Sequence, residues 1–272
     1  MTALGTARLG TTGLGTALRV ETLAWRRSAV QRITTPLLVL LVPLAAVGLV
    51  ALARSGAVVG AGAAKLADYA DGPLSATHLA VAGQVLSVGL LMAGGFAYAA
   101  AFGQPLSDGR AGAMFGLATP RSTIALARCL VVLGWAAACV VLAVGLTAAA
   151  STAAAALSGE PFTAAAWASA GRALLAGLLA ACLAPPFAAV ATATRSPLGT
   201  VGALIGIVAA TQMIVLVGGG AWFPYAVPSL WTGTGGPEAA ASVTPVALWL
   251  TAAVAPVAVA VVVRQWRRLT DV

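Results

Sequence analysis

The chain has 272 residues, 60% hydrophobic and only 8% charged, with a formal net charge of +8 at pH 7. Its mean hydropathy is +0.98, whereas an ordinary soluble domain carries about 25% charged residues. A soluble enzyme, a disordered tail and a disulfide-knit secreted domain are therefore excluded. What remains is an all-α polytopic membrane protein. A span takes about 20 apolar residues, so six use roughly 120 and leave no room for a large soluble domain.

Residues 1–17 are rich in Gly and Thr and lack the continuous apolar core of a signal peptide. They are expected to form a flexible tail ahead of one six-span domain over residues 18–268. Residues 17–33 read ALRVETLAWRRSAVQRI, with Leu18, Thr22, Trp25, Ala29 and Ile33 at roughly helical spacing among Arg19, Arg26, Arg27 and Arg32. This is either an amphipathic helix lying in the headgroup layer or a solvated basic flank. Six apolar segments follow, at about residues 36–53, 78–102, 124–150, 173–193, 198–217 and 245–263. Pro185 and Pro186 stand inside the fourth, where they should kink or break the helix against neighbouring protein.

Orientation follows from the basic residues. With the N-terminus in the cytoplasm, only Arg54, Lys65 and Arg172 of the 15 basic residues lie outside. The expectation is N-in and C-in. The surplus of positive charge then reflects topology, and nucleic acid is not expected as a partner.

Several chemistries lack their residues. Lys65 is the one lysine, and no Gly-rich run ends in Lys-Ser or Lys-Thr. The chain is thus not expected to be an ATPase, or an enzyme of any kind. The one histidine, His78, falls at a span edge as an interfacial or capping residue, which leaves an intramembrane protease without its base. None of the seven acids lies mid-span, where an ion-coupled carrier keeps one. Cys129, Cys139 and Cys182 show no CxxC spacing and read as small buried residues.

The segment 102–131, FGQPLSDGRAGAMFGLATPRSTIALARCLV, is the most informative connector. Ser107 or Asp108 can cap a short helix over residues 109–117, with Met114, Phe115 and Leu117 as apolar knobs and Pro120 as its stop. Such a helix either docks into another protein or is an ordinary interfacial connector.

Phe102-Gly103, Asp108-Gly109, Leu117, Thr119-Pro120-Arg121, Ile124 and Arg128 resemble the loop between the second and third spans of ABC type-2 permeases. These are the six-span membrane subunits of ATP-driven exporters. The basic pre-helix resembles the family's elbow helix. Arg195-Ser196-Pro197 resembles its connector between spans four and five. The run from Phe223-Pro224-Tyr225 to Pro228 looks like its outer re-entrant region, closest to the bacitracin- and lantibiotic-resistance type. The likeness covers residues 18–268. It departs at Gln104-Pro105, which replaces an acidic residue, at Arg110 where threonine is common, and at Arg128 where lysine is common.

The resemblance implies a permease subunit exporting an amphipathic or hydrophobic drug, peptide or lipid. It implies a pair of cytoplasmic ATPase subunits that hold the ATP and Mg²⁺, and a second permease copy or paralogue. Asp108, Gly109, Arg110, Met114, Phe115, Leu117, Pro120 and Arg121 would form or flank the helix seated in the ATPase. The conduit would lie between two permeases, along Gln84, Ser87, Thr211, Gln212 and Met213, although Gln84 also suits plain interhelical bonding. Trp222, Phe223, Pro224, Tyr225 and Pro228 would form an outer gate, or anchor in headgroups. Gly202, Gly206 and Ala210 form a small-residue stripe of the kind that lets helices approach closely, a candidate dimer face. Arg172 either snorkels outward or meets an anionic lipid or peptide carboxylate. An Ala-, Gly- and Arg-rich composition points to a bacterial cell membrane. A non-transporting assembly protein on the same scaffold, or an ion-coupled carrier, remains the alternative.

Overall fold

A computed structural model describes residues 3–60, 62, 66–112 and 119–269. Helices account for every regular element among them. The first helix, Ala3–Arg27, begins inside the segment 1–17 that the sequence sets apart as a tail. Ser28 ends it: its backbone turns extended (ψ 142°) and its hydroxyl accepts from the Gln31 N–H at 3.1 Å. That is N-cap geometry, and it starts a new helix in a new direction.

Among the described residues, six helices are long and apolar enough to cross a membrane: Ala29–Arg54, Leu74–Ser107, Arg121–Ser158, Ala164–Thr194, Pro197–Leu216 and Pro245–Arg268. Each contains or overlaps one predicted segment, and five reach further than hydropathy suggests. The third is longest, about 57 Å at 1.5 Å per residue. Its added length is Ala-rich, weakly hydrophobic but strongly helix-favouring. Gly159, left-handed at φ 70°, then stops it, and the Glu160 N–H closes on the Ala155 carbonyl at 2.9 Å.

The second span is the most buried and packs on the first, third and fourth. Glycine makes this possible at two points. A Cβ on Gly95 would lie 2.6 Å from Leu204, and one on Gly103 would lie 2.8 Å from the backbone nitrogen of Pro197. Within the second span the helix widens to a π turn over Ala99–Gly103.

The fourth span breaks where the sequence predicts, into Ala164–Cys182 and Pro186–Thr194. Across the break the Leu183, Ala184, Phe187 and Ala188 N–H groups bond three residues back, at 2.9–3.3 Å. Tight turns thus satisfy the backbone that two prolines would otherwise leave bare. Leu183 and Ala184 are buried, so the break faces protein.

The bundle has two ends. The near end carries both described chain ends, the described residues 108–112 and 119–120 of one connector, and the turn at 195–196. The far end carries the described residues of the first loop (55–60, 62 and 66–73) and the loops at 159–163 and 217–244, with the short helices Val227–Trp231 and Pro237–Ser242.

Candidate functional site

The near end is organised around Arg128, seven residues into the third span. Its guanidinium forks onto Glu21, Nε and Nη2 each donating to one carboxylate oxygen at 2.8 Å. Its Nη1 donates to the Ala101 carbonyl at 2.8 Å, inside the π turn. Its faces meet two rings, with Phe102 and Trp266 centroids 5.6 and 5.5 Å away. Trp266, fully buried in the sixth span, donates from Nε1 to the Thr192 hydroxyl at 3.0 Å, on the second half of the broken fourth span. One guanidinium and one indole thus join the N-terminal helix to spans two, three, four and six.

The N-terminal helix reaches this hub on a face other than the apolar one in the sequence. Ala17 and Trp25 are buried and Glu21 half-buried, at spacing i, i+4, i+8. Thr22, Ala29 and Ile33 are instead exposed, so of the predicted stripe only Trp25 is buried, with Leu18 half-buried. Trp25 packs edge-on against Trp135 of the third span, centroids 5.2 Å apart. A reading by hydrophobicity discards Glu21 from the inward face. The signal that could have found it is its register with Ala17 and Trp25, together with an arginine two turns inside a span.

The connector leaves the second span through the single turn Gln104–Ser107 and reverses at Gly109, left-handed at φ 69°. Asp108 pairs with Arg110, and that guanidinium holds the carboxyl below its usual range. The Ser107 hydroxyl donates to the Gln104 carbonyl at 3.0 Å. Ala111 and Gly112 are helical, while Met114, Phe115 and Leu117 lie outside the described residues. Pro120 then caps the third span, and Arg121 donates to the Leu269 carbonyl beyond the sixth.

The conduit candidates divide. Gln84 accepts from the Tyr69 hydroxyl at 2.5 Å and donates to the Thr232 carbonyl at 3.2 Å. Bonding between elements is thus realised here. Ser87 is buried and donates to the Gln84 carbonyl, and Thr211 bonds back to Ile207. Gln212 and Met213 face outward on the fifth span, and no hydrogen bond among the described residues joins them to Gln84. Gly202, Gly206 and Ala210 are likewise exposed, and a Cβ on either glycine would meet nothing within 4 Å.

The gate candidates also divide. Trp222 is exposed, whereas Pro228 is buried with Ala226, Val227 and Leu230 in a segment tucked into the bundle. Pro224 is half-buried. Phe223 and Tyr225 stack 5.8 Å apart, and Tyr225 meets Phe187 at 6.5 Å. Phe187 follows directly on the proline break, so the segment around Tyr225 touches that break.

His78 is 2% exposed and sits one turn inside the second span, whose N-cap is Pro73. At the far end Glu160 accepts from the Leu74 N–H at 3.0 Å and approaches Arg54 to 3.6 Å. Cys129 and Cys139 are buried and all three cysteines are free.

Comparison with known protein families and with curated proteins gives no match.

Proposed function

We propose that the chain is the membrane subunit of an ATP-driven exporter in a bacterial cell membrane, with both termini and the 108–120 connector in the cytoplasm. ATP and Mg²⁺ belong to a separate pair of ATPase subunits. The observation that carries this reading is the Arg128 hub. The connector is fastened, within ten residues on either side, to a buried ion pair and indole that tie the N-terminal helix to four spans. A push on the connector would reach all of them together, and that is what a subunit worked by a partner requires.

Three further features support it. Basic residues crowd the near end, and among the described ones only Arg54 and Arg172 sit toward the far end. The proline break in the fourth span touches the gate segment, which would let inner motion reach the outer opening. The open small-residue face of the fifth span suits a second copy. The cargo in this reading is an amphipathic or hydrophobic molecule.

The test is ATP turnover by the complex purified from its native membrane. The expected result is MgATP hydrolysis that falls about tenfold, a barrier increase of about 1.4 kcal/mol, in Phe115→Asp and in Leu117→Asp. Unchanged ATPase association and turnover in both variants would sink the proposal.

A further inference from the structure

We propose that the far end holds a binding site for a monoanionic amphiphile, whose charged group seats on Arg172 beside Trp231. The cavity measures about 680 Å³, within the range of small-molecule sites. It opens between the second and fourth spans and the short far-end helices. Asp68, Tyr69, Thr77, Gln84, Arg172 and Trp231 are among its walls. A recess of about 30 Å³ shares Ala80, Ser169 and Arg172 with it and is also lined by Gly83 and Thr232.

Hydropathy puts Arg172 at the mouth of the fourth span, but the helix begins at Ala164. Arg172 is therefore about 12 Å along the helix from its first residue, at 1.5 Å per residue. Arg172 is exposed and forms part of the cavity wall. Among the described residues no carboxylate lies within ion-pair distance of it. Its contact is the Trp231 ring, with the guanidinium carbon 5.9 Å from the centroid. An indole engages the guanidinium through its π face and leaves the N–H edges to a carboxylate or phosphate fork.

The remaining walls define the ligand further. Tyr69 and Gln84 are bonded to each other and Gln84 to Thr232, so this polar wall is already set when a ligand arrives. Ala76, Ala80, Ala240 and Ala241 supply apolar surface for a chain. Asp68 lines the same cavity and is exposed. Its charge opposes a second negative charge on the ligand, so the site selects one negative charge over two. The anion can come from a free amphiphile or from a phospholipid headgroup.

The site is independent of the ATP-driven reading, because binding is measured on this chain alone. The experiment is native mass spectrometry of the full chain in an uncharged detergent, titrated with laurate, phosphatidylglycerol or phosphatidylcholine. One anionic molecule is expected to bind in preference to phosphatidylcholine. Arg172→Gln should weaken it about tenfold, the equivalent of one charge-assisted hydrogen bond, and Asp68→Asn should tighten it about twofold. Ala241→Asp, at an exposed cavity wall, should also weaken it, and it serves if Arg172→Gln does not fold. Displacement of phosphatidylglycerol by laurate assigns the site to a free amphiphile, and its retention assigns the site to a bilayer lipid. Equal affinity in wild type and Arg172→Gln, no effect of Ala241→Asp, or equal affinity for phosphatidylcholine would overturn the proposal.

Discussion

Two arginines sit about two turns inside a span, at opposite ends of the bundle, and their surroundings differ completely. Arg128 has a carboxylate fork, a backbone carbonyl and two aromatic faces. Arg172 has one indole and an open cavity. Arg128 is buried and Arg172 is exposed, and the two ends treat the two charges differently. The near end saturates its arginine inside the protein, which makes it a rigid joint. The far end leaves its arginine to be satisfied from outside, which makes it a site. The same residue type at the same helical depth thus acquires two roles from its neighbours alone.

The sharpest way to break this contrast is to remove each charge in turn. Arg128→Gln should cost about 3 kcal/mol, because removing one partner of a buried pair leaves the other uncompensated. Glu21→Gln should cost nearly as much, and the double variant should cost less than the sum of the two. Arg172→Gln should change stability by no more than about 0.5 kcal/mol. Denaturant titration in mixed micelles measures all four. Equal costs for the two arginine variants would erase the distinction between joint and site.

A second comparison sets tight glycine against open glycine. Gly103→Ala would press a methyl group against the backbone of Pro197, which cannot move aside as a side-chain tip can. Overpacking of this kind costs about 1–3 kcal/mol. Gly202→Ala meets open space, and alanine's better helix propensity should raise stability by up to about 1 kcal/mol. Thermal melts of the two variants side by side read the difference. A loss at Gly202 as large as at Gly103 would mean that a partner already fills that face.

The fold was largely legible in the sequence. Six apolar runs give six spans because hydropathy alone decides what lipid accepts, and Pro185-Pro186 marks its break by removing two backbone donors. Helix ends were less legible, since the Ala-rich tail of the third span extends on propensity where hydropathy falls away. The joint was legible only by half. Arg128 stood out as a departure from the pattern that the chain resembles. Glu21 stood hidden, because its partner is 107 residues away and its helix face reads as polar. Arg172 was open to two readings in the sequence, snorkelling outward or meeting an anionic group. Hydropathy could not choose between them, because it does not show the cavity that the short far-end helices form around this residue. The aromatic and proline residues at 222–228 stand out in the sequence, but it does not reveal that residues 226–230 tuck inward, because that requires knowing which glycines leave room.

The smallest expected effect tests whether the far end is as loosely held as its open cavity implies. Glu160 performs two tasks there, pairing with Arg54 at 3.6 Å and accepting from the Leu74 N–H at 3.0 Å. Both side chains of the pair are partly exposed, 27% for Arg54 and 38% for Glu160, so solvent screens it strongly. Glu160→Gln keeps an acceptor for the Leu74 N–H and removes only the charge. It should cost about 0.5 kcal/mol, and raising salt from about 50 to 500 mM should shrink that cost as screening grows. Glu160→Ala removes the acceptor as well and should cost about 1 kcal/mol more. Melting curves of both variants at the two salt levels separate the charge from the hydrogen bond. A loss near 3 kcal/mol in Glu160→Gln, indifferent to salt, would mean that this pair is locked as firmly as Arg128 and Glu21. The far end would then be a second rigid joint, and the cavity beside Arg172 would lose the local freedom that admits a ligand.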